Sequence, residues 1–233
     1  MQLLEDESLD LSIIMPCRDE EQTVGICIDE VNQFFDSMQI RGEVLVIDNA
    51  STDASAIIAA KHGARVLVEK RIGYGNAIQT GIKNSKGSVL IIGDCDTTYD
   101  FKNLEEMYRL LVQKNCDMVI GNRYAGGMEP GSMSWIHWWG VRFLSFCARW
   151  RFRTDIYDFH CGLRGISRKA VEQLTFQTQG MEFATEMIAE GVKKKLCLGQ
   201  VPVVLRRCKY KRVSKLRTIR DGLRHFCYII RRN

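Results

Sequence analysis

Val89-Leu-Ile-Ile-Gly-Asp-Cys-Asp96 decides the reading of this chain. Four apolar residues of strand type stop at a glycine, and two carboxylates one residue apart follow at once. Side chains at i and i+2 of an extended segment point the same way, so Asp94 and Asp96 aim their oxygens at one point beyond the strand end. Hard divalent cations take oxygen ligands, commonly one or two carboxylates together with substrate phosphates. The pair is therefore a candidate site for Mg²⁺ or Mn²⁺ holding a diphosphate. An Asp-x-Asp in an ordinary turn is the competing reading.

On either side the same grammar repeats. Leu11-Ser-Ile-Ile-Met-Pro16 reads as a first buried strand, followed by Cys17-Arg-Asp-Glu-Glu21 and a helical pattern to about Met38. Glu43-Val-Leu-Val-Ile-Asp48 is a second apolar run ending in an acid, then Asn49-Ala-Ser-Thr-Asp53. Asp53 or Ser51 suits the N-cap of a helix over 54–62, with Gly63 placed to end it. Ala64 to Glu69 gives a third strand, Gly73-Tyr-Gly-Asn-Ala77 opens another helix, and Met118–Ile120 reads as a fifth strand after 89–92. Strand and helix alternating in short units predict an α/β fold: a mixed, mainly parallel sheet flanked by helices, in a single domain. Such sheets bind ligands at the carboxyl ends of their strands, where Pro16, Asp48 and Asp94 fall.

The segments "SIIMPCRDEE", "VLVIDNASTD", "GYGNAIQTG", "IIGDCDTTYDF", "GNRY" and "DFHCGLRG" occur in the order found in family 2 nucleotide-sugar glycosyltransferases with the GT-A, Rossmann-like fold. The chain resembles in particular the polyprenyl-phosphate sugar transferases, the dolichyl-phosphate mannose synthase group, and "GMEFATEM" and "SKLRTIRDGLRHFCYII" extend the likeness toward the end. The resemblance implies residues 1–204 as the catalytic domain and 205–233 as a basic, amphipathic segment on the acceptor and membrane side.

Composition bounds the alternatives. A chain of 233 residues with 45% hydrophobic content can bury one substantial core. Nine cysteines with no CxxC pair argue for reduced thiols in a cytosolic setting, and the four histidines lack zinc-ligand spacing. No apolar stretch reaches the roughly 18 residues of a bilayer span. Charge is uneven: from Leu205 onward eleven Lys and Arg face Asp221 alone, so that segment carries +10 and residues 1–204 carry −5. Basic clusters beside an acidic body are contact surfaces for anions, with Arg217, Arg220 and Arg224 among them. Trp135, Trp138, Trp139, Phe143, Phe146, Trp150 and Phe152 share a helical stretch with Arg142, Arg149, Arg151 and Arg153, which suits either a membrane–water boundary or a buried aromatic helix.

The expected chemistry is displacement of a nucleoside diphosphate from an anomeric carbon, with the cation at Asp94 and Asp96 neutralising the leaving group. Arg123, just past the fifth strand, is a candidate partner for the diphosphate through paired guanidinium bonds, and the family has an arginine there. The resemblance puts the nucleotide sugar against Pro16, Arg18, Glu20, Ile47 and Asn49, with Asp48 and the intervening Cys95. The family carries a tyrosine or asparagine-like residue at Arg18 and an acid at Asn49, so Asp48 is expected to take over part of that role. A polyprenyl-phosphate acceptor is already an anion near neutral pH and needs cations more than a base; Arg164, Lys209 and Lys215 are the candidates. For a saccharide or small-molecule hydroxyl acceptor instead, Glu182 and Glu186 are the candidate bases, against a solvated helix face as the plain alternative.

Direct attack predicts inversion at the anomeric centre. These readings imply an enzyme at the cytoplasmic face, peripherally associated with an anionic membrane surface, alone or with a separate membrane protein, and with no nucleic-acid partner. A dehydrogenase would place Gly-x-Gly-x-x-Gly after the first strand, where Pro16-Cys-Arg-Asp19 stands. A sugar nucleotidyltransferase would need a glycine-rich basic loop at the same point. A non-catalytic nucleic-acid or anionic-membrane binding protein would explain the basic tail but not the paired carboxylates.

Overall fold

The apolar runs Leu11–Cys17 (β1), Gly42–Asp48 (β2) and Val89–Ile92 (β4) are almost wholly buried, as strands covered on both faces must be. They belong to a computed structural model that describes residues 9–113, 115–210 and 218–231, the side chains of 218 and 219 excepted. Arg65–Val68 (β3), Met118–Asn122 (β5), Arg164–Ser167 (β6) and Leu198–Pro202 (β7) complete a seven-stranded sheet in the order β3-β2-β1-β4-β6-β5-β7. Its β1/β2, β2/β3, β1/β4 and β5/β7 pairs are parallel, while β6 runs antiparallel to both β4 and β5. The expected mixed, mainly parallel α/β sheet is therefore the observed one.

Helices cover the sheet: Val24–Met38 (α1), Ser55–Lys61 (α2), Tyr74–Asn84 (α3), Glu105–Val112 (α4), the short turns Arg123–Gly126 (α5) and Arg168–Val171 (α7), Trp135–Phe152 (α6), Phe183–Lys193 (α8) and Thr218–Ile230 (α9). α3 approaches the sheet closely because Gly81 has no side chain: a Cβ there would collide with Ile14. Asp53 acts at the start of α2 one residue earlier than a helix-adjacent cap, accepting from the backbone and hydroxyl of Ser55.

The strand order doubles back between β1 and β4. Beyond the carboxyl ends of such neighbours the loops part in opposite directions and leave a crevice. The ladder there continues past β4, with Gly93 donating to the Ile14 carbonyl at 3.1 Å.

α6 turns its aromatic residues outward. Val141, Leu144, Ser145 and Ala148 are its buried side, whereas Trp139 is 62%, Phe146 67% and Trp150 81% exposed. A buried aromatic helix is thus excluded. Two of its arginines lie over aromatic rings, Arg142 4.7 Å from Trp138 of α6 itself and Arg149 3.8 Å from Tyr157 just beyond it. α9 packs beside α6 and α8 and leaves Leu223, Phe226 and Ile230 exposed on its outer side.

Candidate active site

The crevice opens into a cleft of about 580 Å³. Pro16, Arg18, Glu20 and Asn49 line it from the ends of β1 and β2, and Asp94, Cys95 and Asp96 from the end of β4. Seven sequence-predicted residues therefore meet in one space.

The loops that carry them are stitched together by side chains reaching across. Asp19 accepts from the Thr52 amide at 2.7 Å, the Glu20 amide donates to Ser55 Oγ at 2.8 Å, and Asp48 Oδ1 caps the Ser51 amide at 3.2 Å. Asn49 explains its own departure from an acid. Its Nδ2 donates to the carbonyls of Glu69 (2.8 Å) and Arg71 (3.0 Å), and its Oδ1 accepts from the Gly73 amide at 2.8 Å. A carboxylate could not donate to those two carbonyls, so here the amide fastens the β3–α3 loop to β2. In that loop Gly73 has φ +152°, and a Cβ on it would run into the Gln179 carbonyl.

The two acids are held differently. Asp96 is buried and accepts from the Thr98 amide at 3.0 Å and from the Thr98 hydroxyl. Asp94 is half-buried and lies so close to Gly162 that no Cβ fits between. Burial, and then the Asp94 charge, push the Tyr74 phenol well above its ordinary pKa, so Tyr74 stays protonated and able to donate. Thr23 Oγ1 fixes the peptide between the acids by donating to the Cys95 carbonyl at 2.8 Å.

Two side oxygens on one wall suit a hard divalent cation shared with substrate phosphates. Among the described residues there is no group of three or more His, Cys, Asp or Glu able to hold a metal without substrate. The donor set therefore fits Mg²⁺ or Mn²⁺ only as a substrate-completed site.

The other expected site residues do not line the cleft or lie outside the described residues. Arg123 is 5% exposed and does not line the cleft: its Nε and a terminal nitrogen grip the Asp158 carboxylate at 2.7 and 2.8 Å. Arg164 is 1% exposed, and its guanidinium donates to the carbonyls of Phe159, Cys161 and Ala184. Both arginines hold together the loop that carries Gly162, behind the acids rather than facing a ligand. Ile47 belongs to the core and Asp48 to the Ser51 turn, and neither lines the cleft. Lys209 is exposed away from it, and Lys215, like Arg217, lies outside the described residues. Glu182 and Glu186 are not a solvated face. Glu186 is buried and accepts from the amides of Gln177 and Thr178, and Glu182 pairs with Arg224 at 2.6 Å.

The remaining wall comprises Tyr74, Gly180 and Met181 with Arg220, Asp221 and Arg224 of α9. Sequence reading noted those arginines only as part of a basic tail. Their signal was spacing: 221, 224, 225 and 228 recur at helical period, so Asp221 and Arg224 share the inner side with His225.

α9 is fastened by two buried imidazoles. His160 and His225 meet edge to face at 4.6 Å, and hydrogen bonds join them to Ser145 of α6 (3.1 Å) and Thr185 of α8 (2.8 Å). Burial, with Arg164 and Arg224 nearby, depresses His225 from an ordinary 6.5 to about 4, and burial also lowers His160. The unfolded chain thus takes up protons on these rings before the folded one does. The stability that the neutral pair contributes is present above about pH 6.5 and is lost as pH falls toward about 4. Denaturant midpoints measured across that window are expected to fall with pH, and His225→Phe should flatten the slope.

A sequence profile described as Glycosyl transferase family 2 matches residues 12–175. The low-salt glycan biosynthesis hexosyltransferase of Haloferax volcanii is 34% identical over 221 residues, covering 94% of this chain and 53% of its own. The dolichyl-phosphate hexose transferase of the same organism is 26% identical over 197 residues, 84% of this chain and 83% of that one. The chain spans about half the length of the first of these relatives. Among solved structures, glucosyl-3-phosphoglycerate synthase from Mycobacterium tuberculosis, with Mn²⁺, UDP-glucose and phosphoglyceric acid bound, superimposes with a TM-score of 0.73 at 20% identity, over 95% of this chain and 79% of that one. At that identity the likeness concerns the fold.

Proposed function

The chain belongs to glycosyl transferase family 2, and from this premise we propose that it transfers a hexose from a UDP- or GDP-sugar to a polyprenyl phosphate, with inversion, while bound peripherally to the cytoplasmic face of a membrane. The observation that carries the reading is the cleft itself. Asp94 and Asp96 stand at the switch point of the sheet, and arginines of α9 line the same cleft.

Asp94 and Asp96 would hold Mg²⁺ or Mn²⁺, which when bound supplies Lewis-acid neutralisation of the departing diphosphate. The close approach of Gly162 confines Asp94, and Thr98 fixes the direction of Asp96, so the oxygens are aimed before substrate arrives. Arg18 and Glu20, which line the cleft, would flank the nucleoside. A phosphate monoester attacks as an anion and needs no proton removed at neutral pH. That agrees with the engagement of Glu182 and Glu186, the candidate bases for a hydroxyl acceptor, in structural bonds. The names of two relatives, a dolichyl-phosphate hexose transferase and a dodecaprenyl-phosphate galacturonate synthase, support the same acceptor class.

No helix among the described residues is long and apolar enough to cross a membrane. The outward aromatics of α6 and the outer side of α9 are the surface offered to lipid, and tryptophan with arginine is the composition that lies at a headgroup boundary. Sedimentation with anionic vesicles is expected to fall at least about fivefold in a Trp139→Ser/Phe146→Ser double variant. Unchanged sedimentation would remove the membrane from the proposal.

The decisive assay follows UDP or GDP release from labelled nucleotide sugars with Mn²⁺ and either a polyprenyl phosphate or the matching polyprenol. Turnover is expected with the phosphate alone, giving a product of inverted configuration. Turnover with the alcohol instead would assign a hydroxyl acceptor.

A further inference from the structure

Of the cations first assigned to the acceptor phosphate, Arg164 and Lys209 do not line the cleft and Lys215 lies outside the described residues, whereas two other arginines do line it. Arg220 and Arg224, four residues apart on α9, line it together with Gly180, as do Asp94 and Asp96. Arg224 is only part-buried, and its terminal nitrogen donates to Glu182 Oε1 at 2.6 Å. Its guanidinium also lies over Gly180, where a Cβ would stand 2.6 Å from Cζ. Arg220 is exposed.

The Glu182–Arg224 pair differs from the pair at Arg123. Arg123 and Asp158 are both sealed from solvent and joined through two bonds. Glu182 engages Arg224 through one oxygen, and its Oε2 is buried with no hydrogen-bond partner among the described residues. Such a contact orients the guanidinium while leaving donor N–H groups for an anion, since an arginine has five and this pair uses one.

The other side of the same helix narrows the anion to one class. Arg224 and Asp221 turn inward, while Leu223, Phe226 and Ile230 are exposed, on a helix that packs against α6 with its own exposed aromatics. A free phosphate would have no use for that outer side. A phosphate ester of a long hydrocarbon would use both, its head between the arginines and its chain along α9 and α6.

We infer that Arg220 and Arg224 form the cradle for the phosphate of a lipid acceptor, with Glu182 as the positioning residue that aims Arg224 across the cleft. The inference rests on the reading of the cleft as a glycosyl-transfer site and names the acceptor half of it. The cradle leaves the donor nucleotide to Asp94, Asp96 and the residues at the ends of β1 and β2, so the two binding events separate.

The test uses farnesyl phosphate and farnesol as probes, and UDP or GDP with Mn²⁺ for the donor side. Calorimetric titration of the full chain without donor is expected to show farnesyl phosphate binding and no farnesol binding. Arg220→Ala and Arg224→Ala should each weaken farnesyl phosphate at least about tenfold, while nucleotide affinity stays within about twofold. Glu182→Gln should weaken it less and raise the KM for the phosphate acceptor without lowering kcat. Arg224→Lys, which keeps the charge at the helix, guards against a folding defect and should recover part of the affinity. Equal binding of farnesol, unchanged farnesyl phosphate binding in both alanine variants, or an equal loss of nucleotide affinity would each overturn the cradle. Absence of sugar transfer alongside arginine-dependent farnesyl phosphate binding would overturn the proposed function and leave the cradle standing.

Discussion

Replacing both Asp94 and Asp96 with alanine is expected to lower sugar transfer by about 10³-fold or more and to abolish its dependence on Mn²⁺ or Mg²⁺. Both side chains sit on the cleft wall at the end of β4, Asp96 held by Thr98 and Asp94 confined by Gly162. Losing them removes the oxygens that would share a cation with the diphosphate, and the leaving group then departs with its charge unneutralised. Asp96→Ala alone should cost more than Asp94→Ala, because Asp96 is the more buried of the two and is bonded to its own turn. Initial rates of UDP or GDP release against metal concentration provide the measurement, with thermal melting to confirm a folded variant. A double variant that keeps its rate within about tenfold and its metal response would sink the mechanism.

The second large effect concerns stability. Asp158→Ala is expected to destabilise the fold by about 3–5 kcal/mol, because it strands the buried Arg123 guanidinium without its counter-charge. Burial alone would weaken the hold of Arg123 on its proton, yet the Asp158 charge and its hydrogen bonds override that and raise the pKa well above the ordinary value. The guanidinium therefore cannot escape by losing its proton. Asp158 also accepts from the backbone amides of Arg123 and His160, so its removal loosens two turns at once. For a chain of this size the loss corresponds to a drop in Tm of about 10 °C. A shift below about 1 kcal/mol in urea unfolding would show that the pair contributes nothing.

Much of the architecture was written in local pattern. The apolar runs of β1, β2 and β4 end in polar residues, and alternation with helices leaves few other folds. Pro16, Arg18, Glu20, Asn49 and the residues 94–96 could be placed because each follows a strand directly, and strand ends share one edge in a parallel sheet. Arg123 and Arg164 were misplaced for a physical reason: sequence displays a charge but not whether an acid or a set of carbonyls lies buried beside it. The partners are 35 residues away for Arg123 and up to 20 away for Arg164. Asn49 looked like an impaired nucleotide contact, whereas its amide is matched to two carbonyls in a loop that only the folded chain brings near. The inner side of α9 was hidden in a net charge, which counts arginines without saying where they turn.

The reversal of β6 has a consequence for how this protein can change. Because β6 runs against β4, with Ile92 opposite Arg164, the residues that precede it arrive at the edge which parallel neighbours depart from. An incoming segment thus buttresses an outgoing one, and Asp94 leans on Gly162. Lengthening or shortening residues 153–163 would pull directly on Asp94, so evolutionary drift in the length of that tract should be tightly restrained.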